Sequence, residues 1–191
     1  MNEHRAHSAE LPGVHSPAAG FDQPFAVLDA CHDRVRRSLD LLQRLAAHVA
    51  THGGDDAARG AAHDVWRYFS LAAPAHHEDE ERHVLPLLEA SGDAALRALA
   101  RRILDDHARI RATWAALAPR LQALHAGEAV DAAALRDAAD AFVRAHEGHL
   151  EREDGQAFPA AQRLAEARAG ALQAMGREMA ERRGVASPVA R

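Results

Sequence analysis

The residues of this chain best placed to do chemistry are histidines and glutamates at helical spacing. Glu80 follows His76 by four residues, and Glu153 follows His149 by four. Residues four apart on a helix lie one above the other, so each pair offers an imidazole nitrogen and a carboxylate oxygen at one level. His32 and His107, on two other segments, add one imidazole each. If all six turn inward, the carboxylates lose their hydration and repel each other, at a cost of roughly several kcal/mol per ion. Cations between them are the natural compensation. Two divalent or trivalent ions, bridged by Glu80 and Glu153 and each taking two imidazoles, satisfy every ligand at once. The candidate metal ligands are therefore His32, His76, Glu80, His107, His149 and Glu153. No general acid or nucleophile stands out, so no catalytic residue is assigned.

Four amphipathic helices must position these groups. Phe25, Leu28, His32, Val35, Leu39, Leu42, Ala46 and Val49 recur at three and four residues and form one inward stripe. A second stripe runs Val65, Phe69, Ala72, His76, Glu80, Val84, Leu87 behind Asp55 as a cap, with Pro74 and Pro86 expected to kink or trim it. The third and strongest runs from Leu96 through Ile103, His107, Ile110 and Trp114 to Leu124, bent at Pro119. The fourth carries Leu135, Ala138, Phe142, His149 and Glu153. A shorter fifth helix follows Pro159, marked by Leu164, Leu172, Met175 and Met179. No segment alternates at period two, so the expected fold class is all-α: an antiparallel up-down four-helix bundle with a short C-terminal helix. The expected divisions are a flexible arm at 1–24, the bundle at 25–160, the terminal helix at 161–183 and a polar tail at 184–191.

The chain also repeats itself. Phe69, His76, Glu80, Glu81 and Pro86 recur at a fixed offset of 73 as Phe142, His149, Glu153, Asp154 and Pro159. At an offset of 75, Leu28, His32, Arg34, Val35, Arg36, Leu39 and Leu42 match Ile103, His107, Arg109, Ile110, Arg111, Trp114 and Leu117. One helical hairpin is used twice.

The repeat also sorts the remaining candidates. His77 and Glu81 are four apart too, but their counterparts are Leu150 and Asp154, so the repeat favours His76 with Glu80. His83 and His146 lie one turn from ligands and are read as supporting residues at the rim. Arg36 and Arg111 read as exposed helix-face residues, with contact to a bridging carboxylate as the sharper alternative. Phe69, Phe142 and Trp114 read as core that could wall a metal pocket. His48, His52, His63 and His125 read as surface. Cys31 points about 100° away from His32 on a helix and reads as a buried thiol outside the ligand set.

Composition narrows the partners. With 23 Lys+Arg against 28 Asp+Glu, the net charge of −5 gives no field for phosphate backbones, so no nucleic-acid partner is expected. One cysteine in 191 residues excludes a disulfide scaffold or a Cys-based zinc site. No apolar run approaches eighteen residues and no signal segment is evident, so the expectation is a cytoplasmic protein with no membrane partner.

Cys31-His32-Asp33-Arg34-Val35, Ala73-Pro74-Ala75-His76-His77-Glu78-Asp79-Glu80-Glu81, Asp106-His107-Ala108-Arg109-Ile110 and the stretch His149 to Pro159 together resemble the hemerythrin-like, or HHE, domain of non-haem di-iron proteins. The resemblance covers about residues 25–160. It implies two iron ions with an oxo or hydroxo bridge, manganese being compatible with the same ligands. It implies a small diatomic or peroxide ligand: dioxygen, nitric oxide or peroxide. Oxygen-carrying members have a second histidine four residues after the first on the third helix, where this chain has Arg111, leaving four histidines in place of five. Iron-sulfur repair proteins with this bundle add a cysteine-containing N-terminal module, whereas this chain has only Cys31. Binding or reaction with such a ligand is the expected function, with a di-iron enzyme of peroxidase, catalase-like or ferroxidase type, or an iron or oxygen sensor whose bundle is ordered by metal, as the alternatives.

Overall fold

A computed structural model describes residues 20–185. The arm expected at 1–24 and the tail at 184–191 therefore fall mostly outside the described residues. Five helical rods make up the described chain. Helix α1 is Pro24–His52, started by the fixed φ of Pro24 and stopped by Gly53 at φ 74°. The second rod joins α2 (Asp56–Arg67), α3 (Ala73–Asp79) and α4 (Leu85–Glu89) through π-helical turns at Tyr68–Ala72 and Glu80–Val84. Helix α5 is Ala94–His125, and the fourth rod joins α6 (Ala132–Arg152) to α7 (Phe158–Glu166) through a π turn at Glu153–Ala157. Helix α8 is Ala171–Arg182. Asp55, Asp93 and Asp131 cap the second, third and fourth rods by accepting backbone N–H bonds, satisfying donors that a helix start leaves free.

The rods form an up-down bundle in cyclic order. α1 packs on α2 and α6, and α5 packs on the same two. Two expectations change. Pro74, Pro86 and Pro159 neither trim nor break their helices, because each follows a wide turn whose N–H reaches back five residues. Ala73 N–H bonds Tyr68 O, Leu85 N–H bonds Glu80 O and Phe158 N–H bonds Glu153 O. The widened turn removes the need for an N–H and relieves the ring clash that proline brings to an α-helix. As a result the fourth rod passes Pro159 and runs to Glu166, and the separate terminal helix is Ala171–Arg182 rather than 161–183. α5 continues unbroken through Pro119.

Each π turn also inserts a residue and moves the inward stripe along by one. Ala73 and Leu88 are buried where Ala72 and Leu87 were expected. The core has two apolar parts. One gathers Leu42, Val65, Phe69, Leu117, Leu121 and Phe142; the other gathers Leu28, Val84, Ile103, Phe158 and Met179. Between them in sequence, on every rod of the bundle, lies a buried polar layer. Helix α8 covers the second part with Met175 and Met179. It is clamped there by Arg182 and Arg183, which pair with the buried Asp79. Gly176 permits the closest approach: a Cβ there would sit 1.8 Å from the Phe21 carbonyl oxygen.

Candidate metal centre

All six sequence-derived ligands meet in the polar layer, and all are buried. α1 supplies His32, α3 supplies His76, α5 supplies His107 and α6 supplies His149, while Glu80 and Glu153 each open a π turn. Along the helices, His76 Nε2 lies 3.0 Å from Glu80 Oε1, and His149 Nε2 lies 3.0 Å from Glu153 Oε2. Across the bundle, His32 Nε2 is 3.2 Å from Glu153 and 3.6 Å from Glu80. His107 Nε2 is 3.3 Å from Glu80 and 3.9 Å from Glu153. Each carboxylate thus faces imidazoles of both hairpins.

The ligand atoms fall into two groups, each within a 4.8 Å span. The first holds His32, His76, Glu80 and Glu153; the second holds His77, Glu80, His107 and His149. Glu80 belongs to both. His77 is the residue that the repeat argument set aside. Its counterpart Leu150 is buried, so this position turns inward in both hairpins and holds imidazole in one and leucine in the other. His77 lies on the inward side next to His76 and offers a ligand atom to the second group. Its ring stacks on His107 at 4.3 Å and meets His149 edge-on at 5.6 Å.

The fit to a cation rests on unsatisfied atoms. Both carboxylate oxygens of Glu80 and of Glu153, and the Nε2 atoms of His32, His76, His107 and His149, are buried without a hydrogen bond. Buried polar atoms are normally bonded, and orphans of this number in one layer fit donors to metal ions. Nitrogen and oxygen donors without thiolate suit iron or manganese. Charge couples the same groups. Burial alone would lower the His32 imidazole, but Glu153 and Glu80 outweigh it and hold it at about 9. His76 and His107 are likewise raised against burial by the carboxylates, chiefly Glu80. Burial and the charge of Glu80 raise Glu153, whereas burial drives His149 down to about 2. A cation entering this layer would displace protons from the raised imidazoles, His32, His76 and His107, while His149 already stands neutral.

An outer ring orients the inner one. His32 donates its Nδ1–H to Asp154 at 2.6 Å, and Arg36 also pairs with Asp154. His107 donates its Nδ1–H to Glu81 at 2.8 Å, and Arg111 lies 3.3 Å from that carboxylate. Each bond commits Nδ1 as donor, so Nε2 is the nitrogen that faces the layer and would give up its proton to a metal ion. The two arginines thus contact Asp154 and Glu81 rather than Glu80 and Glu153. The repeat held the signal, since Arg36 and Arg111 are counterparts, as are Glu81 and Asp154. Their crosswise pairing between hairpins is a tertiary fact. His83 faces Glu178 of α8 at 3.5 Å rather than the layer. Cys31 belongs to neither ligand group.

The two groups differ in their surroundings. At the first, Phe158 stacks on His32 at 4.9 Å. Beside the second lies a cavity of about 210 Å³ walled by Phe69, Ile110, Trp114, Phe142, His77 and His146. Glu81 and Arg111 also border it. His146 is buried, donates Nδ1–H to the Phe142 carbonyl at 2.9 Å, and is lowered by burial to about 4, so it is neutral at pH 7.

This duplicated bundle with its His/Glu layer belongs to the hemerythrin family: the profile of the hemerythrin HHE cation binding domain matches residues 23–181. An uncharacterized protein of Haemophilus influenzae is 26% identical over 167 residues, covering 87% of this chain and 94% of its own length. Among the described residues, no helix is long and apolar enough to cross a membrane.

Proposed function

We propose that this cation-binding domain is a di-iron protein that binds or reacts with dioxygen, nitric oxide or peroxide. One observation carries the reading: buried, unsatisfied imidazoles and carboxylates form two four-residue groups sharing Glu80. Iron rather than manganese follows from the family resemblance, since the ligand types suit both. His32, His76 and Glu153 would hold one ion, and His77, His107 and His149 the other, with Glu80 between them. Five imidazoles, not four, then serve the pair. The ions, when bound, supply redox chemistry and open positions for a small ligand. The chain's own part is to aim Nε2 lone pairs through Asp154 and Glu81, and to keep water scarce with Phe158 at one group and an aromatic wall at the other. The cavity favours the second group as the place of ligand entry.

Metal analysis of anaerobically purified protein tests this, followed by optical spectra with oxygen and nitric oxide. About two irons per chain and a new charge-transfer band are expected. Fewer than about one iron per chain and an unchanged spectrum sink the reading. The same cavity supports a second reading, peroxide turnover, which steady-state peroxide consumption separates from stoichiometric binding.

A further inference from the structure

The cavity is larger than a diatomic ligand or hydrogen peroxide needs. An apolar cavity of about 150 Å³ accommodates benzene, and this one, at about 210 Å³, has room for a single ring or a short branched chain. Its walls are mainly apolar: Phe69, Ile110, Trp114 and Phe142. The charged groups beside it are already engaged, Glu81 by His107 and Arg111 and Glu78 by Arg82, so none is left unpaired to recognise an ionised ligand. One polar group on the wall has its donor side settled. The imidazole of His146 lines the cavity, packs between Phe69 and Phe142, and spends its Nδ1–H on a backbone carbonyl, which makes Nε2 the acceptor of that ring.

We infer that the cavity is a binding site for neutral molecules of one-ring size that carry a single O–H head, the class of phenols and small organic hydroperoxides. The apolar body packs against Trp114, Phe69 and Phe142, and the O–H donates to His146 Nε2. His77 borders both the cavity and the second ligand group, so the head stands beside that group. Only this last consequence rests on the di-iron reading; the binding does not.

Fluorescence titration of the full-length chain in a Trp66→Phe background, where Trp114 alone reports, tests the inference. Phenol, tert-butyl hydroperoxide and toluene are compared on samples whose iron content is measured in parallel. Saturable quenching by phenol or the hydroperoxide is expected, with toluene weaker by about fivefold, the worth of one hydrogen bond. His146→Phe, which keeps a ring in place, should bring phenol and toluene to within about twofold of each other. Ile110→Phe, filling the cavity from another wall, should weaken all three. Absence of saturable quenching, or toluene binding as tightly as phenol to the unsubstituted cavity, overturns the proposal. Iron present without phenol binding defeats the cavity alone, and phenol binding without iron defeats the metal reading alone.

Discussion

The two hairpins started from one pattern and have been wound differently. In the second, α6 runs from its Asp131 cap to Arg152 as unbroken α-helix before its π turn. In the first, an additional π turn at Tyr68–Ala72 precedes the ligands. The spacing from Phe69 to His76 equals that from Phe142 to His149, and Leu150, the counterpart of His77, is buried, so the first hairpin turns two adjacent histidines inward where the second turns a histidine and a leucine. One ligand group consequently draws two carboxylates and two imidazoles, and the other one carboxylate and three imidazoles. The first is covered by Phe158 and the second borders a cavity. The repeat supplies a symmetric frame, and one inward position, His77 in the first hairpin and Leu150 in the second, makes its two halves chemically unequal.

Substitutions can break that comparison, beginning with the residue both groups share. Glu80→Ala should remove nearly all iron, whereas Glu153→Ala, touching chiefly the first group, should leave about one iron per chain; equal losses measured by metal analysis would contradict the shared role. His77→Leu installs the residue found at its counterpart. It should lower iron from about two per chain to about one by emptying the second group, and full loading would restore the symmetric ligand set. Asp154→Asn and Glu81→Gln each loosen one oriented imidazole and should weaken metal binding by about 10–100-fold at their own group, read by competition with a chelator.

Proton competition sharpens the same picture. His32 is held at about 9, so at neutral pH it carries a proton that a metal ion must displace. Affinity of metal-stripped protein should therefore fall as pH drops from 8 to 6, by about tenfold per pH unit for each proton released. A pH-independent isotherm would mean that the imidazoles are already neutral. The smallest effect lies away from the layer. Gly176→Ala forces a methyl group against the Phe21 carbonyl and should cost about 1–3 kcal/mol in denaturant unfolding while leaving iron content unchanged.

Much of this was legible in one dimension. The stripes of α1 and α5 and the fixed offsets of the repeat placed His32, His107, His149 and both glutamates correctly in the layer. Two kinds of information were not there. The π turns leave no periodic mark other than a proline just beyond, and a proline reads equally well as a helix end. Ala72 and Leu87 were accordingly misplaced by one position, His77 was set aside although His76 beside it was placed correctly, and the fourth rod was cut short at Pro159. The pairing of His32 with Asp154 spans 122 residues of chain. Only the crossing of the hairpins brings that carboxylate to that ring, so Arg36 and Arg111 read as helix-face residues, and Glu81 as a discarded alternative to Glu80, until the bundle closed.

An anomalous-difference map at the iron absorption edge, from crystals grown without oxygen, tests the central claim most directly. Two iron peaks are expected, one bounded by His32, His76 and Glu153, the other by His77, His107 and His149, with Glu80 reaching both. A single peak, or two peaks that leave His77 uncoordinated, would contradict the unequal pair of sites described here.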